Sequence, residues 1–412
     1  MSTVIETKSD VGKARALFLD PRLLILATGM FLIGTDSFVI AGLLPLVAKE
    51  FDISVAAAGQ LITVYAISYA ACTVPIATLL SHLPRWRVLF AGIIVFLLGN
   101  LVVGLSPNLL VALLGRVLAG LGAALFAPLA SATATTLVEP DRRAQALAFL
   151  MMGLSAATAL GAPLGALVGA ITTWRTPLLA VAILSIVVAW SIYVEMRDIT
   201  RSIRVPLRER MRPIRDPRVL LILISTFLVL AGLYVTYTFI SVVFERVTRG
   251  DGAVLALLLS VFGMAGTLGS LIAGRLTDRF GGRLVINAAL VVVAADFFAL
   301  PWMSKNLISA ILALLIWGLC GWGFVVPQQH RLTGLAPQLS PILLAMYASA
   351  VYLGTSASGI IGGIALTLVD SSKLPVVGAG LIVCGLIAAE YGTLTIKKYP
   401  AVTRARSSAI DR

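Results

Sequence analysis

Long apolar runs alternate with short polar segments along almost the whole chain. After a polar start over residues 1–22, the sequence contains twelve such runs, rich in Leu, Val, Ile, Ala and Gly. An α-helix needs about 20 mainly apolar residues to cross the hydrocarbon core of a membrane. The pattern therefore predicts twelve membrane-spanning helices, numbered spans 1 to 12 in chain order. The predicted spans are Leu23–Val47, Ala56–Leu80, Val88–Gly104, Leu109–Leu137, Ala144–Ala170, Pro177–Met196, Val219–Phe244, Ala253–Leu276, Leu284–Met303, Leu307–Gln328, Ile342–Val369 and Leu374–Ile396.

The twelve predicted spans fall into two sets of six around a linker that contains eight Arg. Basic turns at equivalent places of the two sets, Thr78–Arg87 and Gly274–Arg283, indicate a duplication. Duplicated bundles are typical of secondary transporters, whose substrate site lies near the membrane midplane between the repeats. We therefore predict an all-α membrane protein of two pseudo-symmetric six-helix bundles. The predicted parts are a tail at 1–22, a bundle at 23–196, the linker at 197–218, a bundle at 219–396 and a tail at 397–412.

The composition supports this prediction, and the distribution of charge adds a direction. Only 12% of the residues are charged, about half of the roughly 25% found in soluble domains. The net charge of +13 would suit nucleic-acid binding, but the tails and loops on one side of the predicted membrane carry 25 Lys and Arg, against six opposite. Because basic residues accumulate on the cytoplasmic side, we expect an inner-membrane protein with both termini in the cytoplasm. We expect no nucleic-acid partner, and contact of the basic linker with anionic lipid.

The sequence offers little for enzymatic or cofactor chemistry. Its three cysteines, Cys72, Cys320 and Cys384, lie within apolar runs, which predicts small buried side chains rather than disulfides. The two histidines do not join them in a metal-site spacing, and no glycine-rich phosphate loop ends in Lys-Ser or Lys-Thr. We predict no metal, no cofactor, no ATP and no enzyme, which leaves an ion gradient or passive facilitation to drive transport.

Four ionisable residues away from the ends of the predicted spans are candidates for function: Asp36, Arg116, Asp296 and Glu390. Asp36 is about 20 Å into span 1, near the midplane, and Arg116 is about 10 Å into span 4 from the opposite side. An arginine could reach across that difference in depth. The pair would then be either a static structural salt bridge or a pair that responds to protons or substrate. For Asp296 and Glu390, which lie nearer their helix ends, we expect structural roles.

Small residues in span 5 predict close helix packing. Gly161, Gly165 and Gly169 recur at intervals of four, which places them on one helix face where a neighbouring helix can approach. Pro163 lies among them and removes a backbone donor. We expect this segment to act as a hinge.

Four motifs carry a family resemblance. They are Gly34–Pro45 in span 1, Arg116–Gly122 in span 4, Gly161–Gly165 in span 5 and the loop Gly274–Arg283. Together they resemble motifs of the major facilitator superfamily, specifically its twelve-span drug:proton antiporter branch near the arabinose-efflux and purine-efflux-like exporters. The resemblance covers essentially the whole chain after the N-terminal tail.

The resemblance implies roles for particular residues. Arg116 would take part in proton transfer with Asp36, and Asp278 with Arg279 would form a gating contact. Two positions depart from the family pattern. Many relatives have an acid where this chain has Ser37, one place after Asp36, and the first-half loop has His82 where the second half has Asp278. A gating contact of this kind would therefore operate only in the C-terminal half.

By the same resemblance, spans 1, 4, 7 and 10 line a central cavity with spans 2, 5, 8 and 11 beside them. Aromatic and apolar walls with few charges suit neutral or cationic amphipathic solutes. The expected substrate-binding residues are Asp36, Ile40, Tyr65, Tyr69, Arg116, Phe126, Tyr234, Tyr237, Trp322, Tyr352 and Ser356.

The leading hypothesis is a monomeric, proton-coupled exporter of a small amphipathic compound, such as an antibiotic, working by alternating access. Its partners would be that compound, protons and membrane lipid. The alternative transporter is an exporter of a sugar, nucleoside or amino-acid-like metabolite. A receptor or scaffold without transport would need neither the buried ionisable residues nor the glycine-rich spans, so the sequence disfavours it.

Overall fold

The structure is a computed structural model that describes residues 20–139, 142–199, 212–336 and 339–398. Most of the N-terminal tail, most of the basic linker and the C-terminal tail from residue 399 lie outside the described residues. The predicted contact between the linker and lipid therefore lies largely outside them too.

Twelve helices among the described residues are long and apolar enough to cross a membrane, which confirms the predicted number. Their ends differ from the predicted ones by a few residues. Spans 1 to 12 are Pro21–Phe51, Val55–Thr73, Arg85–Gly104, Leu109–Ala134, Gln145–Ile171, Arg175–Glu195, Pro217–Thr238, Gly252–Phe280, Gly282–Met303, Leu307–Thr333, Ile342–Leu368 and Ser371–Leu394.

Capping side chains fix where the first helix of each half begins. Span 1 starts with Asp20, Pro21 and Arg22, and span 7 starts with the same three residue types at 216–218. In both, the aspartate accepts a hydrogen bond from the arginine backbone N–H, and the proline occupies the first helical position. Such caps satisfy a donor that the helix itself leaves unpaired.

Two spans are interrupted near their middle. Span 5 passes through a π-helical segment, Ala157–Gly161, just before Pro163. The proline cannot donate to the helix and its ring crowds the preceding turn, which the wider π turn accommodates. Span 10 is broken at Phe324 and continues as Val325–Thr333. The predicted end at Gln328 was therefore wrong, because this last segment buries only Pro327, Gln328 and Leu332 and lacks a long apolar run.

The two halves repeat one helix arrangement. In the N-terminal half, span 1 packs against spans 5 and 6, and span 4 packs against spans 2 and 3. In the C-terminal half, span 7 packs against spans 11 and 12, and span 10 packs against spans 8 and 9. Each contact of one half thus recurs six spans later, as a duplicated bundle requires.

The halves meet along two seams, one between spans 5 and 8 and one between spans 2 and 11. We call the membrane side where span 1 begins and span 12 ends the terminal side, and the opposite side the far side. In the first seam, Gly252 lies against Ala170 at the far end, and Gly263 lies against the backbone of Thr158. In the second, Gly359 lies against Thr63. Glycines let the helices approach closely on the far side of the midplane.

The span 5 glycines with the interval of four do not face the other half. They lie along span 1 of their own half, so any hinge motion of span 5 would slide along that helix. A Cβ atom at Gly161, Gly165 or Gly169 would meet the side chain of Thr35, Val39 or Leu43, respectively.

Candidate functional site

The two deep charges of the N-terminal half form an ion pair. Arg116 Nη1 donates to Asp36 Oδ1 over 2.7 Å, and neither side chain has any exposed surface. Span 1 supplies the acid and span 4 the base, both from the interior faces of their helices. Neither charge could lie alone at this depth, because an isolated charge in hydrocarbon costs several kcal/mol or more.

Span 2 provides further partners for the arginine. Arg116 Nε donates to the Leu61 carbonyl oxygen over 3.1 Å. Its guanidinium carbon lies 4.2 Å from the centre of the Tyr65 ring, a cation–π contact. The Tyr65 hydroxyl accepts from Ser37 Oγ over 3.0 Å, so the residue after Asp36 is tied to the same ring. The cation is therefore held by spans 1 and 2 together.

The pair is not fully satisfied. Asp36 Oδ2 and Arg116 Nη2 are buried and lack a hydrogen-bond partner among the described residues. A buried ion pair offsets its desolvation only when its remaining lone pairs and protons are also hydrogen-bonded. One carboxylate oxygen and one guanidinium nitrogen thus remain available for a proton, water or substrate.

Aromatic side chains from the C-terminal half lie against Phe38, two residues after Asp36 on span 1. Phe38 of span 1 contacts Tyr234 and Tyr237 of span 7 and Trp322 of span 10, with ring centres 6.4, 5.5 and 6.0 Å away. The Tyr237 hydroxyl also donates to the Phe38 carbonyl oxygen over 3.2 Å. These contacts close the far side of the site between the halves.

Two tyrosines meet across the other seam, nearer the terminal side. Tyr69 of span 2 stacks on Tyr352 of span 11, with ring centres 3.6 Å apart and 22° between the planes. Tyr352 also lies 6.5 Å from the ring of Tyr65. Of the predicted substrate-binding aromatics, Tyr65 thus contacts Arg116 directly. Tyr352 and Tyr69 follow from Tyr65 through ring contacts, and Tyr234, Tyr237 and Trp322 lie against Phe38.

The other predicted site residues form no hydrogen bond or ring contact with the ion pair among the described residues. Ile40 and Phe126 are fully buried core residues, and Gly29 makes room for the Phe126 ring, which indicates helix packing. Ser356 is buried in span 11. Asp278 and Arg279 are exposed at the terminal end of span 8; Arg279 lies over the ring of Phe280, and neither forms an ion pair within the described part of the chain.

The other two acidic candidates, Asp296 and Glu390, differ in their hydrogen bonding. Glu390 accepts hydrogen bonds from Arg283 and Asn287 at the terminal ends of spans 9 and 12, as a structural role requires. Asp296 is 94% buried in span 9 (6% exposed), yet neither of its carboxyl oxygens has a hydrogen-bond partner among the described residues. The structural role expected for Asp296 therefore has no hydrogen bond to support it among the described residues.

Three contributors were missed by the sequence reasoning. Ser37 and the Leu61 carbonyl oxygen complete the surroundings of the pair, and Phe38 supplies the contact with the other half. Ser37 and Phe38 directly follow Asp36, so their position was a usable signal. No sequence pattern marks a backbone carbonyl as a partner.

Two pseudo-symmetric six-helix bundles with a buried ion pair at their centre define the class of secondary transporters. The sequence model of the Major Facilitator Superfamily matches residues 26–363, so the chain belongs to that superfamily. It is a multi-pass inner-membrane transporter and not an enzyme.

Similar proteins cover nearly the whole chain. Inner membrane transport protein YdhP of Escherichia coli (strain K12) is 30% identical over 366 residues, 88% of this chain and 93% of that protein. YbcL of Bacillus subtilis (strain 168), an uncharacterized MFS-type transporter, is 26% identical over 367 residues, 89% of this chain and 94% of that protein.

A solved structure has the same fold. It is a bacterial homolog of the human lysosomal transporter Spinster in an inward-facing and unoccupied conformation. The TM-score is 0.73 at 18% identity, and the match covers 92% of this chain and 98% of that chain.

Proposed function

We propose that this transporter exports a small amphipathic compound in exchange for protons, with Asp36 as the proton-binding group. The observation that carries the proposal is the buried Asp36–Arg116 pair, in which one carboxylate oxygen has no hydrogen-bond partner among the described residues. A membrane-buried acid at a transporter's centre is costly to keep and is by default a functional group.

The surroundings of the pair suit a proton exchange. When Asp36 binds a proton, its charge is lost and the ion pair with Arg116 ends. Arg116 then keeps the Leu61 carbonyl oxygen and the Tyr65 ring, so the cation is not stranded. This arrangement favours a reversible switch over a rigid structural bridge.

The cargo is inferred from the side chains around the pair. They are mainly aromatic, with one acid and one base. Aromatic rings favour flat, apolar or cationic molecules through stacking and cation–π contacts. In our proposal a protein monomer, with both termini in the cytoplasm, binds such a molecule between its halves and releases it on the far side.

Transport in proteoliposomes tests this function. The protein is reconstituted with a pH-sensitive dye inside the vesicles and challenged with antibiotics and cationic dyes. Pentoses, nucleosides and amino acids are tested in parallel, so that the metabolite alternative is decided in the same assay. We expect proton movement that depends on an amphipathic compound and runs opposite to that compound.

Asp36→Asn separates coupling from binding. We expect this variant to lose compound-dependent proton movement while equilibrium binding of the same compound persists. The matched control is Asp296→Asn, an acid-to-amide change in the other half, which should leave proton movement intact. Full gradient-driven transport by the Asp36→Asn variant would refute the role of Asp36, and proton movement with metabolites alone would refute the proposed cargo.

A further inference from the structure

An exposed group of aromatic side chains lies at the terminal ends of spans 3 and 6. Tyr193 is its centre, with ring-centre distances of 6.4 Å to Trp86, 6.1 Å to Phe90 and 6.1 Å to Trp190. We call these four residues the aromatic corner. Trp190 and Tyr193 are exposed, although both belong to a membrane-spanning helix. Tryptophan and tyrosine favour the boundary between hydrocarbon and water, so this corner lies at the membrane surface.

Two arginines lie over the aromatic corner. The Arg197 guanidinium carbon is 3.7 Å from the Tyr193 ring centre and 5.9 Å from that of Trp86. The Arg87 guanidinium carbon is 5.5 Å from the Trp86 ring centre. Both arginines are exposed. Two positive charges are thus held above the same rings.

Neither arginine forms an ion pair with a carboxylate among the described residues. The neighbouring acid Asp198 pairs instead with Arg22 over 3.0 Å. Glu195, at the end of span 6, is exposed and also forms no ion pair in the described ranges. The corner therefore presents two positive charges that have no ion-pair partner in the described part of the chain.

At the equivalent place in the C-terminal half, the charge of the arginine is neutralised by an acid. Arg283 follows the second-half loop as Arg87 follows the first-half loop. It donates to Glu390 over 3.0 Å through Nε and 2.5 Å through Nη2, and Asn287 donates to the same carboxylate. The acid of span 12 pairs with its arginine here, whereas Glu195 of span 6 forms no ion pair among the described residues and the ring of Tyr193 lies beside Arg197. The arginine of one corner is thus paired with a carboxylate, and the two arginines of the other have no such pair among the described residues.

An apolar stripe on span 6 continues from the aromatic corner into the membrane. Its residues recur every three or four positions, so they share one helix face, and more than half of each is exposed. The stripe consists of Ile183, Val187, Trp190 and Val194. A charged group bound at the arginines would have this stripe directly beside it.

We propose that the aromatic corner with Arg87 and Arg197 binds an anionic phospholipid. The two guanidinium groups bind the phosphate of the anionic headgroup, and one acyl chain lies along the stripe of span 6. Arginine suits this role because its planar fork of donors matches phosphate oxygens. Each basic residue near a membrane surface strengthens binding of anionic lipid.

The apolar stripe on span 6 indicates which kind of molecule carries the bound anionic group. A free phosphate or an acidic peptide would use the two arginines and leave the apolar face of span 6 unused. A phospholipid uses both, since its phosphate and acyl chains are joined at the depth where the aromatic rings lie. The occupant is therefore a lipid of the leaflet on the terminal side.

Native mass spectrometry of the purified full-length protein tests this site. Phosphatidylglycerol and phosphatidylcholine with identical acyl chains are titrated separately, and bound lipids are counted. We expect the protein to bind phosphatidylglycerol more tightly than phosphatidylcholine. The ratio of the two affinities should fall about fivefold for each arginine that is removed in Arg87→Gln/Arg197→Gln. Trp190→Ala should weaken the binding of both lipids, because it shortens the apolar contact. Glycerol phosphate without acyl chains should not compete.

Two control variants separate this site from general attraction of positive charge. Arg275→Gln/Arg279→Gln removes two exposed charges on the same membrane side of the other half and should keep most of the preference. Arg283→Gln/Glu390→Gln removes the neutralised pair and should keep all of it. An unchanged preference in Arg87→Gln/Arg197→Gln, an equal loss in Arg275→Gln/Arg279→Gln, or competition by glycerol phosphate would each overturn the proposal.

Discussion

The two halves of this transporter share one helix arrangement but place their charges in opposite ways. In the N-terminal half the deep acid is paired, Asp36 with Arg116, and the arginines at the membrane surface, Arg87 and Arg197, form no ion pair among the described residues. In the C-terminal half Arg283, the counterpart of Arg87, is paired with Glu390, and the buried acid Asp296 has no hydrogen-bond partner among the described residues. The duplication thus kept the fold and redistributed the charges.

This difference separates what a fold requires from what a function requires. Both bundles pack their six helices in the same pairs, although their acids lie on different spans. The arrangement that the halves share therefore needs neither Asp36 nor Asp296. Charges inside a membrane are costly, and each half carries that cost in a different place. The predictions below test the charged positions of the two halves against each other, from the largest expected effect to the smallest.

Breaking the deep pair should have the largest effect. In Arg116→Leu the Asp36 carboxylate stays buried without its cation, which should lower the free energy of unfolding by about 3–5 kcal/mol. Thermal unfolding in detergent micelles measures the change. The double variant Asp36→Asn/Arg116→Leu removes both charges and should recover most of the loss. A double variant as unstable as Arg116→Leu alone would show that the ion pair does not account for the effect.

Removing Asp296, the acid of the C-terminal half without a hydrogen-bond partner among the described residues, should change the free energy of unfolding in the opposite direction. Neither oxygen of Asp296 makes a hydrogen bond among the described residues, so Asp296→Leu should raise the free energy of unfolding by about 1–3 kcal/mol. The same detergent assay measures it, with Asp36→Leu as the matched change, which should be destabilising. Destabilisation by Asp296→Leu would mean that this acid has a partner after all.

The surface pair of the C-terminal half should matter less. Glu390→Gln removes the partner of Arg283, and a partly exposed ion pair contributes about 0.2–1 kcal/mol. Glu195→Gln is the control at the end of span 6 and should change thermal stability very little. The Glu390→Gln variant should also gain affinity for phosphatidylglycerol, since Arg283 then resembles Arg87. A loss of that affinity would contradict the comparison.

The smallest expected effect concerns the caps that begin each half. Arg218 donates through its side chain to Asp216, which lowers the pKa of that carboxyl below its ordinary value of 3.8. The resulting stability is present above that value and is lost as the pH falls through the lowered pKa. Asp216→Asn keeps the cap and removes the charge, so it should cost about 0.5 kcal/mol at neutral pH and nothing in strong acid.

Asp20→Asn is the matched change in the N-terminal half. There the arginine of the same tripeptide, Arg22, pairs with Asp198 instead of with its own cap. At neutral pH, the loss of thermal stability in Asp20→Asn should therefore be smaller than that in Asp216→Asn. Equal costs in the two halves would show that the cap, and not the ion pair, determines the effect.

The fold could be predicted from sequence because a membrane imposes a length and a polarity on every crossing segment. That constraint fails where a helix leaves the apolar region, as at Val325–Thr333, whose polar residues hid the end of span 10. It also gives no sign of the break at Phe324. The repeated Asp-Pro-Arg at 20–22 and 216–218 marks the start of both halves and was available in the sequence.

The site was predictable only in part. Charged residues in apolar runs draw attention to Asp36 and Arg116, and the structure brings them together. The sequence could not show which aromatic residues surround this pair, because an aromatic residue in a membrane helix packs equally well in a core. Phe126 and Ile40 are such core residues, whereas Phe38 makes the contact between the halves. Which face of a helix meets the other half depends on tertiary packing.

The anchoring of Arg116 to span 2 has an electrical consequence. With Asp36 ionised, the pair is neutral, and with Asp36 protonated, the same place carries one net positive charge held by Leu61 and Tyr65. A charge that crosses the whole membrane gains or loses about 2.3 kcal/mol per 100 mV. If Asp36 is the proton-binding group, as proposed above, its protonation would move charge through part of the transmembrane field, and the membrane voltage would be a driving force beside the pH difference.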